Sequence, residues 1–305
     1  MNRRVKTALI ILPVLLIVAG IGFSLYMARR QALTWVYPAR NVPVDTPSSV
    51  GLDNWEEVTF TSGDGLNIAG WFIRPDAASE PAPTVMLLHG LGGHRGGMLG
   101  EAALLVNAGY NTLLIDLRAH GLSDGDVTTL GYREVEDVRG AVDYLSGRDD
   151  VDSERIGLAG FSLGAVTAIR AAARIPEIQA VAALSTFKTV DDNVTPIIRA
   201  LTGRPPIPFP AAVIWFVNLE TGVNVGEVRP IDDLAQIAPR PVLFVHGEGD
   251  TVVPVSNSHD LFDAAGEPKE LLIIPNAQHG GFMGAAPEEF EQRFVGFFDQ
   301  YLQGE

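Results

Sequence analysis

Gly160-Phe161-Ser162-Leu163-Gly164 follows an apolar run of strand length at 155–159 and precedes a run with helical spacing at 165–175. A chain with 32 glycines can produce G-x-S-x-G by chance, with the serine merely capping a helix. The strand before it and the helix behind it are what make the pattern chemical. A serine hydroxyl attacks well only when a base can take its proton, so it must stand clear of the backbone. Glycines two residues before and two after Ser162 remove side chains that would collide where strand and helix approach, and they permit strained angles. The helix behind would point its first amides at a developing negative charge. Ser162 is the candidate nucleophile.

On a turn of this kind the acid and the base come later in the chain, in that order. Pro241-Val242-Leu243-Phe244-Val245-His246-Gly247 reads as a buried strand, and the loop Glu248-Gly249-Asp250 after it can aim a carboxylate over the sheet. A second such strand, 270–275, ends in Asn276-Ala277-Gln278-His279-Gly280-Gly281. His279 is the candidate base. Asp250 is the candidate acid, fixing the tautomer that leaves Nε2 free for the Ser162 proton. Another strand at 84–88 runs into His89-Gly90-Leu91-Gly92-Gly93, so the amides of Leu91 and Leu163 are the candidate oxyanion donors. His89 invites a catalytic reading, but a ring in this loop is expected to brace it by hydrogen bonds.

These motifs, together with Asp116-Leu117-Arg118-Ala119-His120-Gly121-Leu122-Ser123, resemble the α/β-hydrolase superfamily over residues 55–303. The chain looks most like the serine hydrolases grouped with dienelactone hydrolases, prolyl-oligopeptidase-like domains and membrane-anchored α/β-hydrolase-domain proteins. The resemblance implies a Ser-His-Asp triad, an acyl-enzyme intermediate and no metal or organic cofactor. It also implies that Asp116, an alternative acid with Asp124, stabilises a loop. Haloalkane dehalogenases and epoxide hydrolases carry aspartate at the elbow and dienelactone hydrolases proper carry cysteine, whereas this chain has Ser162 and no cysteine. Ala119 departs from the glycine common in the family.

The alternation of elements leads independently to an α/β class. Residues 58–61 and 68–74 read as an antiparallel opening pair around Ser62-Gly63-Asp64-Gly65. Strands at 84–88, 111–116, 155–159, 180–185, 241–246 and 270–275 then alternate with helices at 97–108, 132–147, 163–174, 259–265 and 287–303. The expected architecture is a mostly parallel sheet covered by helices on both faces, with ligands beyond the carboxyl ends of the strands. The alternation lapses at 186–238, where Pro205, Pro206, Pro208 and Pro210 precede the apolar run 211–219; this stretch is expected to be a small helical cap shaping the pocket.

Residues 7–28 carry no charge and are mostly aliphatic, long enough to cross a bilayer. They read as a membrane anchor or a signal peptide, and the length of the apolar run favours an uncleaved anchor. The expected organisation is an anchor at 1–30, an extended linker at 31–54 and one hydrolase domain at 55–305. Arg3, Arg4 and Lys6 on one side against Arg29 and Arg30 on the other tilt the topology toward an extracytoplasmic domain. Beyond residue 44 lie all 37 acidic residues and 16 of the 22 basic ones, a balance that disfavours nucleic acid and anionic lipid surfaces. No zinc spacing or phosphate loop is present. The reading is a serine hydrolase of small-molecule carboxylic esters. Open beside it stand a peptidase, for which Glu220, Glu227, Asp232 and Asp233 could hold a free amine, a lipase or thioesterase, and a non-catalytic binding protein. The oligomeric state is not legible.

Overall fold

The computed structural model of the chain describes residues 3–76, 81–202 and 210–304. The strands are β1 (Trp55–Thr61), β2 (Asn67–Ile73), β3 (Ala82–Leu88), β4 (Asn111–Ile115), β5 (Val151–Phe161), β6 (Ile178–Leu184), β7 (Val242–Gly247) and β8 (Lys269–Ile274). They form one sheet in the order β1-β2-β4-β3-β5-β6-β7-β8. β1 with β2 and β2 with β4 pair antiparallel, and the remaining neighbours pair parallel. Every residue of β3 and β4 is buried, as a parallel sheet covered on both faces requires, whereas β1 at the edge is exposed at several positions.

The covering helices are α1 (Arg3–Val36), α2 (Leu99–Asn107), α3 (Glu134–Ser146), α4 (Leu163–Ala172), α5 (Val190–Thr202), α6 (Pro210–Thr221), α7 (Pro230–Asp233), α8 (Ser256–Ala264), α9 (Phe282–Ala285) and α10 (Pro287–Phe298). α3, α4 and α8 pack their apolar faces on one side of the sheet; α2 and α10 pack theirs on the other. The helix expected to reach residue 303 gives way after Phe298 to a wider π turn, Asp299–Gln303.

The stretch between β6 and β7 contains α5, α6 and α7; Pro205, Pro206 and Pro208 lie outside the described residues, and Pro210 starts α6. α5 buries Val190, Val194 and Ile198 at four-residue spacing. These residues join Phe187, Val213, Val217, Leu130 and Val166 in a third apolar cluster.

The boundary expected at residue 30 needs correction. α1 continues unbroken to Val36, so residues 31–36 are helix and not extended linker. Ala28, Ala32, Trp35 and Val36, spaced four, three and one apart, form a stripe buried in the third cluster, and that packing carries the helix onward. Past the helix the chain stays on the domain: Arg40 donates to Ser123 O at 2.6 Å and to Gly125 O, and Asn41 donates to Gly92 O at 3.0 Å. Within α1, residues 11–36 form a helix long and apolar enough to cross a membrane.

Candidate active site

Ser162 occupies the turn between β5 and α4 with φ 54° and ψ −112°, a positive φ that a serine adopts only under constraint. Two contacts impose it. A Cβ on Gly160 would lie 2.2 Å from Gly164 O, and one on Gly164 would lie 2.2 Å from Leu88 O. Strand, turn and helix therefore close on one another only because both flanking positions are glycine. The Ser162 amide donates to Leu184 O at 2.8 Å, tying the turn to the neighbouring strand.

The three candidate residues meet at the carboxyl ends of β5, β7 and β8. Ser162 Oγ donates to His279 Nε2 at 3.0 Å, and His279 Nδ1 donates to Asp250 Oδ2 at 2.7 Å. Gly247 permits this approach, because a Cβ there would lie 2.2 Å from Gln278 O. Asp250 is buried, and its other oxygen accepts the amides of Val252 and Val253, both at 2.8 Å. Burial alone would raise its carboxyl; hydrogen bonds from His246 and His279 outweigh that and hold it well below the usual carboxylate range. His246 had no role in the sequence reading. Its Nδ1 accepts from Ser258 Oγ at 2.6 Å, and its Nε2 lies 2.9 Å from Val253 O and 3.2 Å from Asp250 Oδ2. Both neighbours of Nε2 are acceptors, so the proton sits there and the ring is a second donor to the acid. Its place at the end of β7, four residues before Asp250, was the available signal.

The competing residues have structural partners. Asp116 accepts the amides of Arg95 at 2.7 Å and Leu122 at 3.0 Å and so joins two loops. Asp124 accepts from the amide and side chain of Asn67. His89 accepts the Leu117 amide at 3.1 Å through Nε2 and donates through Nδ1 to Gly90 O at 2.7 Å. Burial pushes its pKa down to about 3, with nearby His120 adding to the effect, so the ring stays neutral and braces the loop. Ala119, where the resemblance leads one to expect glycine, holds φ at 63°, which explains the usual residue. Leu163 is the first residue of α4, and among the described residues neither its amide nor that of Leu91 has a partner.

Ser162 and His279 open into a cavity of about 220 Å³ whose walls include Leu91, Leu130, Phe161, Phe187, Val194 and Trp35. The walls are apolar apart from Asn193, whose Nδ2 donates to Thr189 O and Asn257 Oδ1. Among the described residues no acidic side chain lines it. Glu220 accepts from Arg29 and Tyr37, Glu227 from Asn224 and Tyr132, Asp232 from Arg229, and Asp233 pairs with Arg170 and Arg174. The four carboxylates weighed as an amine clamp are thus engaged elsewhere. Among the described residues no cluster of three or more metal-binding side chains occurs.

Residues 64–196 match the family model described as X-Pro dipeptidyl-peptidase (S15 family), and residues 206–305 match that of the prolyl oligopeptidase family. The uncharacterized protein YqkD of Bacillus subtilis is 30% identical over 232 residues, covering 75% of this chain and 74% of that protein. The uncharacterized protein YfhR of Escherichia coli K12 is 27% identical over 303 residues, covering 97% and 95%. A solved structure of the Pyrococcus furiosus esterase Pf2001 superposes with a TM-score of 0.74 at 26% identity, covering 88% of this chain and 98% of that one.

Proposed function

Because the chain belongs to the α/β-hydrolase superfamily of serine hydrolases, we propose that it cleaves carboxylic esters of small molecules through an acyl-enzyme on Ser162. The observation that carries this reading is the chain of two hydrogen bonds from Ser162 through His279 to Asp250, opening into an apolar cavity. In the proposed mechanism Ser162 Oγ attacks the ester carbonyl while His279 Nε2 takes its proton, and the ionised Asp250 stabilises the imidazolium. The amides of Leu91 and Leu163 receive the negative charge of the tetrahedral intermediate. His279 then returns the proton to the departing alcohol. A water molecule, deprotonated by the same ring, releases the acid.

The matching family models describe peptidases, which favours amide cleavage as the second reading. An exopeptidase must hold a free amine, and among the described residues no acidic side chain lines the cavity wall, which counts against one. Neither reading needs a cofactor. We further propose that α1 is retained as a membrane anchor, since residues 28–36 of the same helix pack in the domain, and that the domain lies on the extracytoplasmic side.

Intact-mass labelling of the full chain with a fluorophosphonate, beside turnover of p-nitrophenyl esters and peptide p-nitroanilides, tests the assignment. A single adduct lost in Ser162→Ala, with ester turnover exceeding amide turnover, is the expected result. An adduct elsewhere refutes the nucleophile, and a preference for the anilides replaces the ester reading with the peptidase one.

A further inference from the structure

Helix α6, Pro-Ala-Ala-Val-Ile-Trp-Phe-Val-Asn-Leu-Glu-Thr, is apolar on two opposite faces. Val213 and Val217 are buried in the cluster that includes the end of α1. Ala211, Trp215 and Leu219, each four residues apart, form the other face, with Trp215 58% and Leu219 61% exposed. A helix that packs one face on a protein and turns the other to water carries polar residues on the outer face. This one carries a tryptophan and a leucine, so its outer face calls for an apolar cover.

What lies beside α6 indicates the cover. α6 packs along α1. Near its C-terminal end Glu220 accepts from Arg29 and from the Tyr37 hydroxyl, each at 3.2 Å. Arg29 is the first charge after the uncharged residues 7–28, so this ion pair holds α6 level with the point where α1 leaves the hydrocarbon. Trp215, five residues before Glu220, lies about 7.5 Å from it along the helix. α1 itself leaves Phe23 and Tyr26 exposed on its approach to this level. Two helices packed along one another thus both expose apolar side chains within about 10 Å of this ion pair along their axes, and tryptophan is a ring that favours the membrane interface. Trp35, on the same α1, forms part of the wall around Ser162, and Leu91, another wall residue, is 38% exposed.

We propose that α6 lies in the interfacial layer of the membrane that α1 crosses, and that the Ser162 cavity draws from this leaflet an ester whose long hydrophobic chain is dissolved in the bilayer. The substrate half rests on the ester-hydrolase reading; the surface half does not. The excess of acidic residues beyond residue 44 makes the partner surface a zwitterionic lipid and not an anionic one.

The test uses the full chain reconstituted in phosphatidylcholine vesicles with lipids brominated near the headgroup end of the acyl chain. Tryptophan quenching is expected to fall markedly in Trp215→Phe, because the ring in contact with lipid has been removed. Quenching unchanged by that substitution overturns the surface, whether α6 then stands in water or against a second copy of the chain. In the second arm, the Trp215→Ser, Leu219→Ser double variant is expected to raise KM several-fold for a long-chain ester embedded in the vesicles, with kcat/KM for water-soluble p-nitrophenyl acetate unchanged. Equal effects on both esters, or none on either, overturn delivery from the leaflet. If wild type turns over neither ester, the ester reading and the substrate half fall together, and quenching still decides the surface. Replacing a third of the lipid with phosphatidylglycerol is expected not to strengthen the Trp215 quenching; a clear increase would contradict the zwitterionic assignment.

Discussion

His246 Nε2 and His279 Nδ1 converge on one oxygen, Asp250 Oδ2, at 3.2 and 2.7 Å. In the proposed mechanism the carboxylate therefore has a donor, His246, that takes no part in proton transfer. His246→Gln is expected to lower kcat about tenfold with KM little changed, since the acid keeps its charge but loses part of its fixed orientation. Circular dichroism and steady-state kinetics on the same preparation check this. An equal loss in Ser258→Ala, which removes the outer hydrogen bond to the ring, would support the orientation argument, whereas full activity in His246→Gln would refute it.

Asp250 and Asp116 are expected to fail differently. Asp250→Asn leaves the fold intact and costs about 10⁴ in kcat, the scale for neutralising a triad acid. Asp116→Asn exchanges an acceptor for two loop amides, so it should lower the melting temperature and leave turnover per folded molecule within about tenfold. Thermal unfolding and active-site titration separate the two outcomes. The reverse ranking in kcat would move the acid to Asp116.

Gly164→Ala places a methyl group 2.2 Å from Leu88 O and 2.7 Å from His89 O, both backbone atoms that cannot step aside. The expected cost is about 3 kcal/mol, at the upper end for overpacking, with a displaced Ser162 and a loss of fluorophosphonate labelling. Urea unfolding gives the first number and intact mass the second. A variant as stable as wild type would mean that the elbow has more room than its contacts indicate.

His89 makes stability depend on pH. Its folded pKa, about 3, lies below the unfolded value near 6.5, so between these limits the unfolded chain binds the proton and the folded one does not. Stability therefore rises with pH across this window and is fully present above about pH 6.5. The slope attributable to one such ring approaches about 1.4 kcal/mol per pH unit. His89→Asn should flatten the urea midpoint between pH 4 and 6 relative to wild type. An unchanged slope would show that the ring already takes up a proton in the folded state.

Most of the architecture could be read in the chain because burial on both faces writes strands such as 84–88 and 241–246 as unbroken apolar runs, and the glycines of the elbow mark their own contacts. The structural weight of three residues is not legible in the sequence, for physical reasons. His246 looks like any polar residue at a strand end until the fold brings it back to Asp250. Trp35 lies in what reads as linker, and nothing local says that a turn of helix packing on the third cluster will carry it to the cavity. Ala119 passes as a harmless departure, although its φ of 63° shows that the position is a strained one. The first two depend on contacts distant in sequence and the third on a backbone angle, neither of which periodicity records.

Because α1 is one continuous helix into its packed final turns, the domain is not on a leash. Trp35 lies seven residues beyond Ala28, the last residue of the uncharged stretch, which is about 10 Å of helix rise. With α1 in a bilayer, the height of the cavity above its own membrane is thus set by covalent geometry, and slack in a connecting segment cannot lengthen it. An anchored ester hydrolase of the proposed kind would work in cis, on what its own leaflet carries, and an ester in a facing membrane would stay out of reach however loosely it is held there.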